Sequence, residues 1–287
     1  MSFAFIAAEK AHYPIRTLCR ALDVTPSGFY AWQQRPPSQR SRDDEQLILQ
    51  LRIAHAASRQ TYGRPRLHRA LRAIGLRVGE RRVRRLMTRA GVHPRRRRRF
   101  RATTDSVGAV HVVGNRLRRR FHHTQPDTVW AADITACWTL EGWLYLAVVL
   151  DLASRRIVGW ATRPHLETEL PLAALHLALG TRRPAPGLLH HSDRGVQYAS
   201  VAYQQVLATH GIIPSMSRIG DCWDNAPVES FFSQLKTELV PHQPWVTRAH
   251  AHRALAEHLQ FYNRERLHSA LDYRSPAAYE RQLVTAS

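Results

Sequence analysis

Three apolar runs separated by very short turns lie in the middle of the sequence and limit the fold more than any other feature. TVWAADITACW begins at Thr128, WLYLAVVLDLA at Trp143 and RRIVGWAT at Arg155, and each has the composition of a buried or half-buried strand. The connections, LEG and ASR, are too short for the crossover that parallel neighbours need. We therefore predict a three-stranded antiparallel meander.

Helical and strand-like segments alternate after the meander. Helices are predicted over 167–180, 201–211, 226–239 and 248–263, and strands over 187–193 and 212–217. A meander followed by this alternation indicates an α/β fold with a mixed five-stranded sheet. It is also the element order of the ribonuclease H fold.

Positive charge is concentrated at the amino-terminal end of the chain. The sequence has 42 Lys and Arg against 22 Asp and Glu, a net charge of +20. Residues 1–120 contain 28 of the basic and 7 of the acidic residues, and the rest of the chain contains 14 and 15. This asymmetry favours a nucleic-acid-binding part joined to a part with another task, over a basic surface without a partner.

Two arginine-rich segments are the candidates for DNA contact. A helix predicted at 79–91 has arginines on all faces but its apolar one, as in a recognition helix; an arginine-rich surface helix is the alternative. A run of five arginines then indicates a tether or an arm that follows phosphates. The candidate DNA-binding residues are Arg81, Arg82, Arg84, Arg85, Arg89, Arg95, Arg96, Arg97, Arg98 and Arg99.

The whole chain is predicted to have an all-α front and an α/β core. Residues 13–34 have a helix-turn-helix outline, for which an ordinary helical hairpin is an equally good interpretation. The predicted parts are a helix-turn-helix unit at 1–38, a second helical DNA-binding domain at 43–92, a basic linker at 93–123, a catalytic core at 124–240 and a C-terminal helical extension at 241–287.

Cysteine usage and hydropathy exclude several other classes of protein. Cys19, Cys137 and Cys222 are odd in number and lack CxxC spacing, which argues against a disulfide framework and a zinc site. The longest apolar runs, such as 144–150, are too short to span a bilayer, and the first residues lack a signal-peptide pattern. We therefore expect a cytoplasmic protein without a membrane partner.

Three carboxylates occur in separate motifs. Asp133 lies in VWAADIT at the predicted end of a strand, Asp193 follows a strand in HHSDRGVQY, and Glu229 lies on a helix in DNAPVESFF. Each alone has an ordinary interpretation as a turn or surface acid, but three acids together can hold two divalent cations for in-line phosphoryl displacement. Asp224 and Asn225 are predicted to cap the helix of Glu229.

Other side chains near these acids have structural interpretations. For His190 and His191 we favour packing and hydrogen bonding over a metal role. For Trp130 and Trp223 we favour core packing over stacking on a DNA base.

Longer motifs around these acids match a known family. WAADIT, HSDRGVQY, DNAPVESFFSQLKTE and YNRERLHSALDYRSPAAY, with TYGRPRLHRAL and the opening FAFIAAEKAHYPIRTLCRALDVTPSGFYAW, occur in the family's order along nearly the whole chain. The sequence thus resembles the second-frame (OrfB) transposases of IS-three-type insertion sequences. These share the catalytic core of retroviral integrases, so the resemblance implies a DDE recombinase with a ribonuclease H-like core.

The resemblance implies a specific reaction and site. A transposase of this kind binds the element ends, cleaves to free a 3′-OH and transfers the strand by direct transesterification. Asp133, Asp193 and Glu229 would be catalytic residues and ligands of two Mg²⁺ ions, with Mn²⁺ as a substitute. Lys236, seven residues after Glu229, would contact DNA near the scissile end; a solvated helix lysine is the alternative.

The resemblance also implies partners. These are duplex DNA, as terminal inverted repeats and as target, and a second copy of the chain, since two ends must be joined. A first-frame (OrfA) protein or fusion is a further expected partner, and the bacterial nucleoid is the expected location.

Two other functions stay open on the residues alone. One is a DNA-binding regulator with an inactive core, against which the intact triad argues. The other is a ribonuclease H-like nuclease, against which the basic front of the chain argues. The sequence does not show whether a C-terminal motif, Tyr262, Asn263, Arg266 and His268, closes the core or positions target DNA.

Overall fold

The computed structural model describes residues 2–95, 113–218, 222–240 and 245–285. The strands are β1 (Val129–Thr139), β2 (Gly142–Asp151), β3 (Ile157–Arg163), β4 (Leu189–Ser192) and β5 (Ile213–Met216). The helices are α1 (Ser2–Glu9), α2 (Ile15–Ala21), α3 (Pro26–Gln34), α4 (Gln39–Ala57), α5 (Arg64–Ala73), α6 (Glu80–Ala90), α7 (Glu169–Arg182), α8 (Val201–Thr209), α9 (Ala226–Glu238), α10 (Arg248–Arg264) and α11 (Pro276–Thr285). Of the candidate DNA-binding residues, Arg96, Arg97, Arg98 and Arg99 lie outside the described residues.

The five strands form one mixed sheet in the order β3-β2-β1-β4-β5. β1, β2 and β3 are joined as antiparallel neighbours, which confirms the predicted meander. β4 and β5 continue the sheet in parallel to β1, each reached through a helix. The predicted α/β class and the five-stranded sheet are thereby confirmed.

The sheet separates two hydrophobic cores. On one face, Ala131 and Cys137 of β1 pack with residues of α9 and α10. On the other, Trp130 and Ala132 pack with residues of α7 and α8. Because both faces are covered, the central strands are apolar on both sides, which explains their nearly continuous hydrophobic sequence.

Gly159 lies where β3 packs closely against α7. A Cβ at this position would overlap the carbonyl oxygen of Ala174 and lie 2.8 Å from the Cβ of Ala178. We expect Gly159→Ala to lower the free energy of unfolding by about 1–3 kcal/mol, because the strand and helix must separate. Gly180→Ala, on α7 with open space around it, is the control and should be neutral or stabilising. Equal urea midpoints for the two variants would contradict this prediction.

The second helical domain docks on the carboxyl-terminal helices of the core. Helices α4, α5 and α6 share an apolar cluster into which Phe261 of α10 also packs. The Tyr62 hydroxyl accepts a hydrogen bond from the backbone N–H of Leu267 at 2.7 Å and donates one to the carbonyl of Glu265 at 3.3 Å. Helices α1, α2 and α3 pack around a separate cluster of their own.

Two arginines of α6 are used within the helical domain. Arg82 Nε and Arg85 Nη2 donate to the buried carboxylate of Asp44 on α4, at 2.8 and 2.6 Å. These bonds hold the predicted recognition helix onto α4. Arg81 and Arg84 of the same helix are exposed.

The carboxyl-terminal end of the predicted linker packs on the core. Leu117 is 2% exposed and belongs to the cluster beneath α9. The backbone N–H groups of Arg116 and Leu117 donate to Ser215 Oγ of β5 at 2.9 and 3.2 Å. Residues 113–120 are thus attached to the sheet, although the composition predicts a linker. In the described part of the chain, no helix is both long and apolar enough to cross a membrane.

Candidate active site

The three motif carboxylates come from two strands and a helix. Asp193 directly follows β4, and Glu229 lies in the first turn of α9, as predicted. The prediction that Asp133 ends its strand is wrong: it lies within β1, opposite Val148 of β2. The strand continues because β2 pairs with β1 beyond this point, as far as the turn.

Strand alternation places Asp133 on the face of the sheet that α9 covers. Side chains two residues apart in a strand share one face. Ala131 and Cys137, two before and four after Asp133, both pack in the α9 cluster. Asp133 and Glu229 therefore lie on the same side of the sheet.

The charges of the three acids interact. Burial raises the pKa of Asp133 most, and repulsion by Asp193 and Glu229 raises it further; the Ile134 N–H and the charge of Lys236 act in the opposite direction. Burial also raises the pKa values of Asp193 and Glu229. The charges of Asp193 and Glu229 thus both act on Asp133.

The chemistry of this site fits divalent cations. Among the residues that the structure describes, no group of three or more His, Cys, Asp or Glu side chains is close enough to form a complete metal site. The acids are thus coupled electrostatically without a formed coordination sphere. Carboxylate oxygens are the ligands that hard divalent cations take, and a cation would relieve the repulsion on Asp133.

Backbone N–H groups orient two of the acids. Asp133 Oδ1 accepts a hydrogen bond from the N–H of Ile134 at 2.7 Å. Asp193 Oδ1 accepts one from the N–H of Gly195 at 2.9 Å, so its Asx-turn interpretation is also correct. Both bonds stabilise the charged form of the carboxylate.

Asn225 links α9 to β1 instead of capping the helix. It stands at the N-cap position but makes no side-chain cap bond, because its backbone, at φ −115° and ψ 24°, departs from the extended N-cap conformation. Its Nδ2 donates instead to the carbonyl of Ala132 at 3.1 Å. The helix that carries Glu229 is thereby attached to the strand beside Asp133, and the predicted cap is wrong.

Asp224 holds the segments around the start of α9 together. Its fully buried carboxylate accepts hydrogen bonds from Arg218 Nε and Nη2 at 3.0 and 2.9 Å, from Arg119 Nε at 2.9 Å and from Asn115 Nδ2 at 2.7 Å. Arg218 chiefly, with smaller contributions from Arg119 and Asn115, holds the pKa of Asp224 well below its usual range. The predicted cap is therefore wrong for Asp224 too.

We expect Asp224→Asn to lower the free energy of unfolding by about 1–3 kcal/mol at neutral pH, because the Arg218, Arg119 and Asn115 donors lose a charged acceptor that is itself fully buried. A carboxyl with a lowered folded-state pKa stabilises the protein above its unfolded pKa, about 3.9, and this stabilisation is lost as pH falls. The difference from the wild type should therefore shrink as pH falls below about 4. Urea unfolding of the wild type and the variant at neutral pH and at a pH below about 4 measures this difference, with Asp272→Asn at an exposed position as the control. A difference in unfolding free energy that does not change with pH would contradict the role of Asp224 as a buried, charged acceptor.

The two histidines before Asp193 are neutral structural residues. His191 Nδ1 is 2.9 Å from Ser215 Oγ and its Nε2 is 3.2 Å from Ser217 Oγ. His190 Nε2 is 3.1 Å from the Tyr203 hydroxyl. Burial lowers their pKa values, to about 3 for His190 and about 4 for His191. The prediction of packing and hydrogen bonding is confirmed.

Lys236 lies over β1, two turns after Glu229. Its charge lowers the pKa of Asp133 and that of Cys137, against the larger effect of burial on each. A solvated helix lysine does not describe Lys236 fully, because the charge of its ammonium group stabilises the ionised form of Asp133.

The two tryptophans near the motifs differ. Trp130 is fully buried in the core, as predicted. Trp223 is 68% exposed in the turn before α9, so the prediction of core packing is wrong for this residue.

The C-terminal motif of Tyr262, Asn263, Arg266 and His268 stabilises the position of α9. The sequence did not reveal this role. The Asn263 side chain makes two hydrogen bonds of 2.9 Å with the backbone N–H and C=O of Ile157 in β3. The Tyr262 ring packs edge-on against Phe231 of α9, with 4.9 Å between centroids. Arg266 forms a buried ion pair with Glu238 at the end of α9. Only the opposite charges of this last pair gave a signal in the sequence, and nothing indicated which acid Arg266 would meet.

Sequence families match both parts of the chain. Residues 123–222 and 210–276 match two families described as integrase core domains. Residues 41–100 match a family described as an HTH-like domain.

Curated relatives extend over almost the entire chain. The insertion element IS600 uncharacterized 31 kDa protein of Shigella sonnei is 42% identical over 91% of this chain and 97% of its own length. Transposase InsF for insertion sequence IS3A of Escherichia coli (strain K12) is 37% identical over 98% of each chain. Among solved structures, the HTLV-2 integrase catalytic core domain in complex with magnesium is 16% identical with a TM-score of 0.44, over 54% of this chain and 97% of that domain.

Proposed function

This chain belongs to the IS3 family of insertion-sequence transposases, and we propose that Asp133, Asp193 and Glu229 are its catalytic, metal-binding triad. It is a DNA transposase with an integrase catalytic core. The observation that carries the proposal is that Asp133 and Glu229 lie on the α9 side of the sheet, where the charges of Asp193 and Glu229 both raise the pKa of Asp133. The reaction is cleavage at the 3′ ends of the element, followed by strand transfer through direct transesterification.

The core depends on divalent metal ions, for which we propose Mg²⁺, two per site, with Mn²⁺ as a substitute. When bound, the ions would supply Lewis acidity to an in-line displacement. Asp133, Asp193 and Glu229 would hold them, and the β1–α9 bond from Asn225 to Ala132 fixes two of these acids relative to each other. Lys236 would bind a DNA phosphate beside them.

DNA is the partner of both parts of the chain. We propose that residues 43–92 bind the terminal inverted repeats, with the exposed Arg81 and Arg84 of α6 against the duplex. Arg82, Arg85 and Arg89 would add charge from the same helix, and Arg95–Arg99 would bind phosphates of the same DNA.

Two element ends must be brought together, so we propose at least a homodimer. A first-frame (OrfA) protein or fusion is proposed as a further partner. The proposed location is the cytoplasm, at the nucleoid where the substrate lies.

The decisive experiment combines the purified chain, Mg²⁺ and a duplex that carries the terminal repeats of its element. Strand joining supports the transposase site. Binding without cleavage would favour a regulator with an inactive core, and cleavage of an RNA–DNA hybrid alone would favour a ribonuclease H-like nuclease. Either of these two results would overturn the proposal.

A further inference from the structure

A polar cleft of about 280 Å³ lies between α9 and the second helical domain. Ser230, Ser233 and Thr237 of α9 line one wall. Arg66 of α5 and Arg95, which follows α6, line the other. The cleft thus joins the proposed DNA-binding domain to the helix that carries the third carboxylate.

A buried guanidinium with an unused donor lines this cleft. Arg266 is 1% exposed, and its Nε and Nη2 bind Glu238. Its Nη1 is buried and has no hydrogen-bond partner within the described residues. Buried polar atoms are nearly always paired, so an acceptor within the cleft would give this donor the hydrogen bond that it lacks.

Arg66 adds a second cation to the cleft. Its guanidinium lies over the Tyr62 ring, 5.8 Å from the centroid, and makes no ion pair with the residues that the structure describes. Burial, and then repulsion by Arg266, lower the pKa of Arg66. Among the described residues that line the cleft, the one carboxylate is that of Glu238, which is already bound to Arg266. An anion between Arg66 and Arg266 would relieve their repulsion.

Arg95 gives the cleft a third guanidinium. Its Nη1 donates to the main-chain carbonyl of Glu238 at 2.6 Å, which holds the side chain against the end of α9. It is also the first of five consecutive arginines in the sequence.

The size and lining of the cleft select the ligand. Its volume is just below the roughly 300–1,000 Å³ of small-molecule pockets. Arginines, hydroxyl groups, Gln234 and Glu238 line it, and none of these described residues has an aromatic side chain on which a base could stack. Forked N–H donors with nearby hydroxyls suit the several acceptor oxygens of a phosphate.

We propose that this cleft binds a backbone phosphate of duplex DNA on its path from the second helical domain to the carboxylate site. Arg66, Arg95 and Arg266 contact the phosphate, with hydroxyls of α9 beside it. Since phosphate contacts fix the register of a protein on DNA, this contact sets which phosphodiester reaches Asp133, Asp193 and Glu229. The inference deepens the proposed function and depends on it for the identity of the DNA.

The test measures how binding of the terminal-repeat duplex depends on salt, in EDTA so that no cleavage occurs. A lost phosphate contact lowers the slope of log affinity against log salt by about 0.9. We expect this decrease for Arg66→Gln. The matched control is Arg253→Gln, at an exposed position of α10 outside the cleft, which should retain the wild-type slope.

Ser233→Asp provides a second variant that removes no guanidinium. It adds a negative charge to the cleft wall and should lower the slope and the affinity at least as much as Arg66→Gln. If thermal unfolding shows that Arg66→Gln is not folded, Ser233→Asp decides the question. Wild-type slopes in every folded cleft variant would overturn the proposal.

Two further outcomes are informative. One distinguishes free phosphate from DNA phosphate as the anion in the cleft, and the other distinguishes failure of the cleft proposal from failure of the proposed catalytic function. Stabilisation of the wild type by inorganic phosphate, with DNA slopes unchanged in the cleft variants, would mean a free-anion site and overturn the DNA assignment. Reduced slopes in the cleft variants, together with no strand joining by the wild type, would keep the cleft and reject the proposed catalytic function.

Discussion

Asp133→Asn, Asp193→Asn and Glu229→Gln should each lower strand joining by about 10³-fold or more while binding of the end duplex is retained. Metal ions contribute several kcal/mol of transition-state stabilisation, and each 1.36 kcal/mol corresponds to a tenfold change in rate. Each variant keeps the shape of the side chain and removes one charged oxygen ligand. The measurement is joined product per unit time with Mg²⁺, with Glu167→Gln, an exposed acid outside the site, as the control.

The same variants should not be less stable without metal. Because burial and neighbouring acids raise the pKa of Asp133, its ionised form opposes folding at neutral pH. Asp133→Asn removes this opposition, so we expect a higher melting temperature in EDTA. A structural acid such as Asp224 should show the reverse. If a triad variant joined strands at nearly the wild-type rate, the metal role of that residue would be rejected.

The sequence predicts the sheet well because its signals are local. Short turns at 140–142 and 153–155 require antiparallel neighbours, and the meander follows without knowledge of the rest of the chain. The motif around Glu229 similarly predicts a helix that the structure places at Ala226–Glu238. The sequence also predicted correctly that Asp193 follows a strand and that Glu229 lies on a helix. It failed for Asp133, because pairing with β2 continues β1 beyond this residue.

Contacts between distant segments could not be predicted in this way. Asn225 has the residue type of a helix cap, and only the nearness of Ala132 explains why it bonds to a strand instead. Arg82 and Arg85 have the pattern of a DNA-reading helix face, yet Asp44, some forty residues earlier, uses both. In each case the local preference is overridden by a buried polar group that needs a partner.

Glu238→Ala should lower the free energy of unfolding by about 3–5 kcal/mol, because it leaves Arg266 as a buried charge without its acid. Glu238 is 7% exposed and Arg266 is 1% exposed, and two side-chain nitrogens of Arg266 bind the carboxylate at 2.5 to 3.1 Å. The exposed ion pair between Glu80 and Arg64, at 3.6 Å, provides the control. Glu80→Ala should cost less than about 1 kcal/mol in urea unfolding.

A double variant separates the structural task of this ion pair from its task in DNA binding. Apolar side chains of similar volume can replace a buried ion pair with little loss of stability, so Glu238→Leu with Arg266→Met should recover most of what Glu238→Ala loses. The recovered protein still lacks the Arg266 guanidinium in the cleft. Its unfolding free energy should therefore approach the wild-type value while its salt slope for end DNA stays reduced by about 0.9. A double variant that recovered both would show that Arg266 acts only on the fold, because the stability of α9 would then account for every effect on DNA.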